Sequence, residues 1–421
     1  MAILASKLTA RQYRLVASLA RGGMGEVFVG QEVGPKAQPD AAPVAIKTLL
    51  PEVLQQDNML ERFLDEARIS ARLDHPNIAR LQDFGEAAGR PFTVFELLVG
   101  ANLGECLDAL IVKQTQMPAE VALAVVAEAC RGLHHAHTLA KDGSPLQVVH
   151  RDLSPSNLFL GANGEVKVLD FGAAWARDRI TQTAKGLIIG KLEYMAPEQV
   201  QGKPVDARTD VFALGLCLHE FFTLKRPYAC TDEREQISRI YHAQVPPLER
   251  LRPGLGRPIY QAVRRATAAD PKHRFQSAAE LAQALDEILG DLTEQPAQKI
   301  LHRFYLSCFG PDRDVQRARR LTELGSVAAA NEEGFAWEAP ALREDSAVTA
   351  PAGAGAAPAN GGPKLPEPDT DPEPGPFATA SEPAAAAPRR SYLGFALIGA
   401  AVLAALFVGL IIGRVGASLG P

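Results

Sequence analysis

From about residue 11 to residue 290, the chain alternates between two spacings of apolar residues. The runs LVASLARGGMGEVFVG and PVAIKTLL are rich in apolar and β-branched residues and are broken by glycine, which predicts strands joined by a turn. The run ERFLDEARISARL has apolar residues three and four positions apart, which predicts an amphipathic helix. Further along, two short apolar strands are predicted around 158–160 and 166–169, on either side of a turn.

After residue 290 the composition changes twice. Residues 291–325 keep apolar side chains at helical spacing, which predicts a helical extension. Residues 326–390 are rich in Ala, Pro, Gly and Glu, and eleven of the 31 prolines lie between residues 340 and 388. Such a composition does not bury enough apolar surface to form a packed core, so we predict a disordered linker.

The last segment has a different pattern again. Residues 392–413 carry no charged side chain across 22 positions. As a helix this segment would be about 33 Å long, which spans the hydrocarbon core of a bilayer. Arg389 and Arg390 precede it and only Arg414 follows, which favours a cytoplasmic N-terminal side. The sequence therefore predicts a single-pass anchor in the inner (cytoplasmic) membrane, with residues 414–421 as a short extracytoplasmic tail; a buried core helix is the alternative.

Composition narrows the function further. The net charge is −5 and no long Lys/Arg tract occurs, so nothing supports nucleic-acid binding. The five cysteines are dispersed and lack C-x-x-C spacing, which argues against a disulfide framework and against a zinc site. The N-terminus lacks the uninterrupted apolar core of a secretory signal peptide. We therefore expect most of the protein to remain in a reducing, cytoplasmic compartment.

A glycine-rich turn near the start is suited to phosphate. Gly22, Gly23 and Gly25 allow backbone N–H groups to approach phosphate oxygens where a Cβ would obstruct them. Val27, just beyond, can pack on an apolar base such as adenine. An ordinary glycine-rich hairpin explains the same residues equally well, so this motif alone decides nothing.

The next strand contains a lysine that requires a partner. Lys47 lies in an apolar run that predicts a buried strand, where an ammonium group is costly without a nearby anion. Glu66 lies at the edge of the apolar side of the following helix and can face Lys47. The alternative is a strand lysine whose amine extends to solvent.

The central run VVHRDLSPSNLFLGANGEVKVLDFG carries the most specific chemistry. It places Asp152, Asn157 and Asp170 close to the ends of the two adjacent short strands. Asn157 and Asp170 offer oxygen ligands that suit Mg²⁺ shared with phosphate oxygens. Asp152 remains available to orient a hydroxyl group and accept its proton. The alternative, a pair of surface hairpins with exposed acids, does not explain this spacing.

With these motifs in this order, the chain resembles the bacterial branch of the eukaryotic-like (Hanks-type) Ser/Thr protein kinases over residues 11–290. The resemblance implies an α+β, two-lobed protein-kinase fold, with a small β-rich N-lobe to about residue 95 and a larger helical C-lobe. It implies ATP and Mg²⁺ as cofactors, with Mn²⁺ as an alternative ion.

The resemblance also implies roles for particular residues. Asp152 corresponds to the catalytic-loop acid, Lys47 to the lysine that contacts the α- and β-phosphates and pairs with Glu66, and Asn157 and Asp170 to the metal ligands. The implied ATP-binding residues also include Ala20, Gly22, Gly23, Gly25, Val27, Ala45, Phe95, Glu96 and Leu98.

Further motifs concern the substrate. The 196–198 sequence A-P-E closes a complete activation segment, which favours a protein substrate over a small molecule, and the catalytic loop resembles the Ser/Thr version. Asp210 matches the acid that braces the catalytic loop, and Arg274 the arginine that pairs with Glu198. Thr181 and Thr183 lie where activating phosphorylation falls in the family, and phosphate there can pair with Arg151. We expect protein substrates bearing Ser or Thr, and self-association for autophosphorylation in trans.

Three positions depart from the family pattern. Ser154 stands where a lysine usually contacts the γ-phosphate, a loss that can cost about 10²–10³-fold in rate. Ala20 replaces the first glycine of the ATP loop, and Lys191 replaces a threonine that usually bonds the catalytic acid and that lysine. These departures leave open a second function, a membrane-tethered pseudokinase scaffold with little or no phosphoryl transfer.

Overall fold

The computed structural model describes residues 3–5, 11–56 with gaps at 24, 36 and 38–40, 59–87, 89–171, 192–316 and 319. Thr181, Thr183 and Lys191, the predicted linker and the predicted membrane span lie outside the described residues. The strands are β1 (Ile3–Ala5), β2 (Gln12–Arg21), β3 (Gly25–Val33), β4 (Val44–Leu49), β5 (Leu81–Ala87), β6 (Arg90–Glu96), β7 (Gly100–Asn102), β8 (Ala140–Lys141), β9 (Ser144–Pro145), β10 (Leu158–Gly161) and β11 (Val166–Val168). The helices are α1 (Pro51–Leu54), α2 (Met59–Ser70), α3 (Leu103–Lys113), α4 (Ala119–His137), α5 (Pro197–Val200), α6 (Ala207–Thr223), α7 (Glu233–Tyr241), α8 (Leu248–Leu251), α9 (Arg257–Ala266), α10 (Ala278–Leu292) and α11 (Ala297–Phe309).

The N-terminal lobe is a six-stranded antiparallel sheet in the order β1-β2-β3-β4-β6-β5. Alternate apolar side chains from these strands form one buried cluster, since successive strand residues point to opposite faces. The cluster comprises Leu4, Tyr13, Leu15, Phe28, Val44, Ile46, Phe92 and Val94. Helix α2 packs against β5 and β6 of this sheet, which brings Glu66 to the edge of the strands.

The second lobe is mostly helical and is centred on α4 and α6. Twelve of the 16 residues from 121 to 136 are buried, which is expected of a helix that other elements cover on most sides. The short strands β10 and β11 pair antiparallel, with Leu158 opposite Val168, and β10 also pairs with β7. The strands predicted around 158–160 and 166–169 are thereby confirmed. Asn157 lies directly before β10, and Asp170 lies two residues after β11.

Within the helical extension predicted at 291–325, the described helix α11 docks on the second lobe. Helix α11 packs against α3, α4 and β10, and His302 Nδ1 lies 2.6 Å from the backbone oxygen of Ala162 in the β10–β11 turn. Gly164, in the same turn, has φ +86°, and a Cβ there would lie 2.2 Å from the oxygen of Gln298. The apolar spacing of the segment alone does not indicate this docking surface.

We expect Gly164→Ala to destabilise the docking of α11. The added methyl group both opposes the positive φ and overlaps the backbone of α11, so the free energy of unfolding should fall by about 2–4 kcal/mol. Gly143 is a matched control, because it has φ +80° but no described atom within 4 Å of a built Cβ. Urea unfolding of Gly164→Ala and Gly143→Ala measures the difference; equal losses would contradict a close α11 contact.

In the described part of the chain, every helix is too short or too polar to span a bilayer. The span predicted at 392–413 lies beyond the described part of the chain and stays a prediction.

Candidate active site

Lys47 lies in the middle of the first-lobe sheet, between Val27 on β3 and Thr93 on β6. Its Nζ donates to Glu66 Oε1 at 3.1 Å and to Asp170 Oδ1 at 2.7 Å. The predicted contact with Glu66 is therefore present. The ammonium group of Lys47 thus links β4 and α2 of the first lobe to Asp170, the predicted metal ligand of the second lobe.

The surroundings of Lys47 favour its protonated, positively charged form. Burial by itself favours the neutral amine, but the negative charges of Asp170 and Glu66 and their hydrogen bonds raise the pKa of Lys47 above its ordinary value. Lys47 is therefore a fixed cation at neutral pH, as a group that binds phosphate oxygens needs to be.

The glycine turn leaves open space beside Lys47. Gly22 N–H donates to the oxygen of Gly25 at 2.9 Å, which closes the turn. A Cβ on Gly25 would lie 2.3 Å from the oxygen of Thr48, so glycine is required for β3 to approach β4. At Gly23, by contrast, no described atom lies within 4 Å of a built Cβ. The backbone around Gly22 and Gly23 is thus unobstructed, as a loop that covers phosphates requires.

The predicted adenine-binding residues line the strands next to this turn. Ala20 pairs with Val27 across β2 and β3, and Ala45 pairs with Phe95 across β4 and β6. The carboxylate of Glu96, at the end of β6, accepts from Lys167 Nζ at 2.7 Å and from the backbone N–H of Arg80 at 2.8 Å. These bonds fix the segment that joins the two lobes. Leu98 follows in that segment and is partly buried.

Asp210, at the start of α6, holds the loop that contains Asp152. Its carboxylate accepts from the backbone N–H groups of His150 at 2.8 Å and Arg151 at 2.9 Å. The Nε2 of His137 lies 2.7 Å from the same carboxylate. Arg151 has φ +65°, a left-handed conformation that is costly for a residue with a Cβ. The buried carboxylate stabilises this conformation, so Asp210 braces the loop as predicted.

The ionised form of Asp210 is also favoured. Burial alone raises the pKa of a carboxyl group, but the hydrogen bond and charge of His137, together with His150, hold the pKa of Asp210 below its ordinary value. The buried acid is therefore a charged acceptor throughout the neutral pH range.

Asn157 and Asp170 provide two oxygen donors at the ends of β10 and β11. Asn157 Nδ2 donates to the backbone oxygen of Asp152 at 2.7 Å, so its Oδ1 is the atom suited to a cation. Asp170, with φ +53°, has a side chain that is 46% exposed and contacts Lys47. His150 supports this turn, because its Nε2–H donates to the oxygen of Leu169 at 2.8 Å and its ring lies 4.8 Å from that of Phe171.

This donor set fits Mg²⁺. One carboxylate and one amide oxygen are few ligands, which suits an ion that keeps waters and binds substrate phosphates in addition to protein groups. The described residues hold no group of three or more His, Cys, Asp or Glu suited to a metal, so a cage built from protein ligands alone does not occur in that part of the chain.

The far end of the activation segment is anchored by a buried ion pair. Arg274 donates to Glu198 through two nitrogens, at 2.7 and 2.8 Å, and the side chains are 0% and 6% exposed. Thr209 Oγ1 adds a bond to Glu198 at 2.8 Å, and Gln199 Nε2 donates to the oxygen of Arg151 at 2.9 Å. The predicted Arg274–Glu198 pair is confirmed, and Gln199 links it to the catalytic loop.

Ser154, which replaces the usual lysine, places its Oγ 2.9 Å from Ser156 Oγ. Neither hydroxyl carries a charge, so this turn of the loop supplies no cation. The supporting residues His137, Lys167 and Gln199 were not anticipated from sequence. His137 belongs to the run HHAH, and its bond to Asp210 joins residues 73 positions apart, which no local pattern indicates.

A family model described as the protein kinase domain matches residues 13–286, and the chain belongs to that family. Its relatives place it in the bacterial Hanks-type branch. Strand β1 and helix α11 lie outside the matched range. The predicted two-lobed fold, with a β-rich first lobe and a helical second lobe, is confirmed.

Several similar proteins give the scale of the relationship. The Tyrosine-protein kinase MasK of Myxococcus xanthus is 38% identical over 330 residues, which cover 77% of this chain and 51% of MasK. The Serine/threonine-protein kinase Pkn1 of Myxococcus xanthus is 32% identical over 359 residues, or 80% of this chain and 49% of Pkn1. The chain therefore spans about half the length of these two relatives. The solved kinase domain of Mycobacterium tuberculosis PknI is 28% identical with a TM-score of 0.51, and the match covers 68% of this chain and 100% of that domain.

Proposed function

We propose that this protein kinase transfers the γ-phosphoryl group of ATP to serine or threonine hydroxyls of proteins. The observation that carries the proposal is the position of Lys47 between Glu66 and Asp170, at 3.1 and 2.7 Å. An ammonium group held by two acids from separate lobes supports a site arranged for nucleotide phosphates. Asp152 lies on the braced loop of the same lobe as Asp170.

The chemistry follows from these positions. The ammonium of Lys47 binds and orients α- and β-phosphate oxygens, and Glu66 keeps it in place. Asp152 accepts a hydrogen bond from the substrate hydroxyl and orients its oxygen toward the γ-phosphorus. When bound, Mg²⁺ neutralises phosphate charge, and Asp170 and Asn157 would hold it. Because Ser154 supplies no charge, we expect a slower chemical step than in kinases with a lysine there.

The preference for Ser and Thr rests on the catalytic-loop sequence and on relatives named as serine/threonine kinases. MasK is named a tyrosine kinase, so the acceptor residue needs a direct test. Purified full chain would be incubated with labelled ATP and Mg²⁺, and the labelled protein hydrolysed for phosphoamino-acid analysis. We expect phosphoserine or phosphothreonine; phosphotyrosine alone would contradict the assignment.

The same assay separates an active kinase from a scaffold. We expect Lys47→Met to abolish incorporation, whereas Lys141→Met, on the exposed strand β8, should retain it. A wild-type chain that folds and binds ATP but incorporates no label would instead support the scaffold, for which the replacement at Ser154 is the favouring observation.

We further propose that residues 392–413 anchor the kinase in the inner membrane and that anchored copies autophosphorylate in trans at Thr181 or Thr183. The support is the uncharged 22-residue segment and the position of these threonines within the activation segment. We expect the full chain, but not a chain ending at residue 390, to sediment with membranes and to autophosphorylate faster at matched bulk concentration. Equal rates for both forms would remove the support for activation in trans at the membrane.

A further inference from the structure

Two cysteines from distant parts of the sequence meet beneath the helical extension. Cys106 lies on α3, in the helix that follows the segment joining the lobes, and Cys308 lies near the end of α11. Both belong to the main buried cluster of the second lobe, on helices that pack against each other. A hydrogen bond between the two side chains, with Cys106 as donor, is the largest influence on the pKa of each thiol.

Polar contacts on either side of the two thiols hold α3 and α11 together. Lys113, at the end of α3, donates to the backbone oxygen of Ser307. Arg313, just after α11, forms an ion pair with Glu105 in the first turn of α3. The guanidinium of Arg313 also lies 3.8 Å from the centre of the Phe309 ring. Bonds at both ends of α3 therefore hold against each other the two segments that carry the thiols.

The environment makes the two thiols unequal. The hydrogen bond from Cys106, and then the charges of Lys113 and Arg313, lower the pKa of the Cys308 thiol against the opposing effect of burial. The same hydrogen bond, together with burial and the nearby Glu105, raises the pKa of the Cys106 thiol. Cys308 keeps 5% of its surface exposed and Cys106 none. Cys308, whose thiol has the larger thiolate fraction, is therefore also the more exposed of the two residues.

We propose that Cys106 and Cys308 form a reversible disulfide, a redox modification site that takes a small hydroperoxide as oxidant and fastens the helical extension to the catalytic unit. A dispersed set of cysteines without framework spacing is consistent with a disulfide that forms transiently in a reducing compartment.

The reaction balances in two steps. The Cys308 thiolate attacks one oxygen of the hydroperoxide, the O–O bond breaks, and the departing alkoxide takes up a proton to leave as an alcohol, with Cys308 oxidised to a sulfenic acid. The sulfur of Cys106 then attacks the sulfur of Cys308, the S–S bond forms, and the hydroxyl leaves with the proton of Cys106 as water. Two thiols give up two electrons in total, and a dithiol reductant reverses the change.

A disulfide between Cys106 and Cys308 would restrict the local opening of α11. Without it, α11 is held by packing and polar contacts and can open locally while the rest of the lobe stays folded. With it, the end of α11 cannot leave α3. Because the chain continues from α11 toward residue 421, the disulfide would set where the remainder of the chain departs from the kinase.

The test uses the full chain and hydrogen peroxide as the probe. We expect peptide mapping without reductant to find Cys106 linked to Cys308, with the mass of two hydrogens lost, and dithiothreitol to restore both thiols. Hydrogen exchange of the α11 amides should slow by about ten-fold or more in the oxidised chain. Cys130→Ala and Cys217→Ala are matched controls, because these thiols are also buried in the second lobe on α4 and α6, and both variants should still form the link.

Cys106→Ala and Cys308→Ala should each abolish the link. Where a variant does not fold, the wild-type chain alone decides the question: after native oxidation and then denaturation, maleimide should label three of the five cysteines. Labelling of all five, peroxide products limited to sulfinic acid or to intermolecular bonds through Cys230, or a link that forms only in urea would each overturn the proposal.

Discussion

Asp152→Asn should lower the rate of phosphoryl transfer by the full chain by about 10²–10⁴-fold and leave ATP binding unchanged. The asparagine has nearly the same shape, and the loop around it is held by backbone groups: the oxygen of residue 152 accepts from Asn157 Nδ2 at 2.7 Å. In the proposed mechanism, the substitution removes the carboxylate that orients the hydroxyl and accepts its proton. The contacts of Lys47 with Glu66 and Asp170 are unchanged, so the residues that bind the phosphates of ATP stay in place.

Single-turnover kinetics with labelled ATP, beside a nucleotide-binding titration, separates the two effects. Asp142→Asn is the control, because Asp142 lies in an exposed turn with φ +52°, which asparagine also tolerates. We expect this variant to match the wild type in both measurements. A rate for Asp152→Asn within a few-fold of the wild type would exclude Asp152 as the acceptor of the hydroxyl proton.

Glu198→Gln should reduce the free energy of unfolding by about 3–5 kcal/mol, because it leaves the guanidinium of Arg274 buried without its counter-charge. Arg274 is 1% exposed, and its ring neighbour Phe212, 4.5 Å away, offers no compensating anion. The bond from Thr209 Oγ1 to Glu198 is lost or weakened as well. Removing one partner of a buried pair costs far more than the pair contributes when it is intact.

An exposed pair of the same type is the internal comparison. Glu235 pairs with Arg239 on α7 at 2.6 Å, with side chains 52% and 35% exposed, and Glu235→Gln should leave the free energy of unfolding nearly unchanged. Urea unfolding of both variants, followed by intrinsic fluorescence, measures the difference. Similar losses for the two variants would mean that Glu198 contributes no more than a surface acid, and that the buried pair does not anchor the activation segment.

The sequence was most informative where chemistry and local periodicity coincide. Lys47 and Glu66 were paired correctly, because a lysine in an apolar strand requires an anion and the next helix offers one at its edge. The strands flanking the central turn followed from apolar runs separated by turn residues. In these cases the relevant contact joins neighbouring elements, so the spacing of residues along the chain already constrains the geometry.

Contacts between elements that are distant in the sequence were harder to predict. The run HHAH identifies a helix face but not the carboxylate that His137 meets, because that depends on how α4 packs on α6. Strand β1 was not predicted either: its residues precede the expected start at 11, and three residues are too few to show a period. Helix α11 lies within the extension predicted at 291–325, but an apolar stripe does not reveal which surface covers it.

The docking of α11 therefore determines where the autonomous folding unit ends. A chain cut at residue 290, near the end of the family match, would uncover the apolar surface that Ile300, Leu301 and Phe304 now cover. It would also remove His302, the hydrogen-bond partner of the Ala162 carbonyl in the turn between β10 and β11. Such a chain would expose an apolar surface to solvent, and we expect it to aggregate more as its concentration rises. The activity of such a truncated domain would then reflect its solubility as much as its catalysis. The smallest catalytic fragment that keeps this surface covered therefore includes α11.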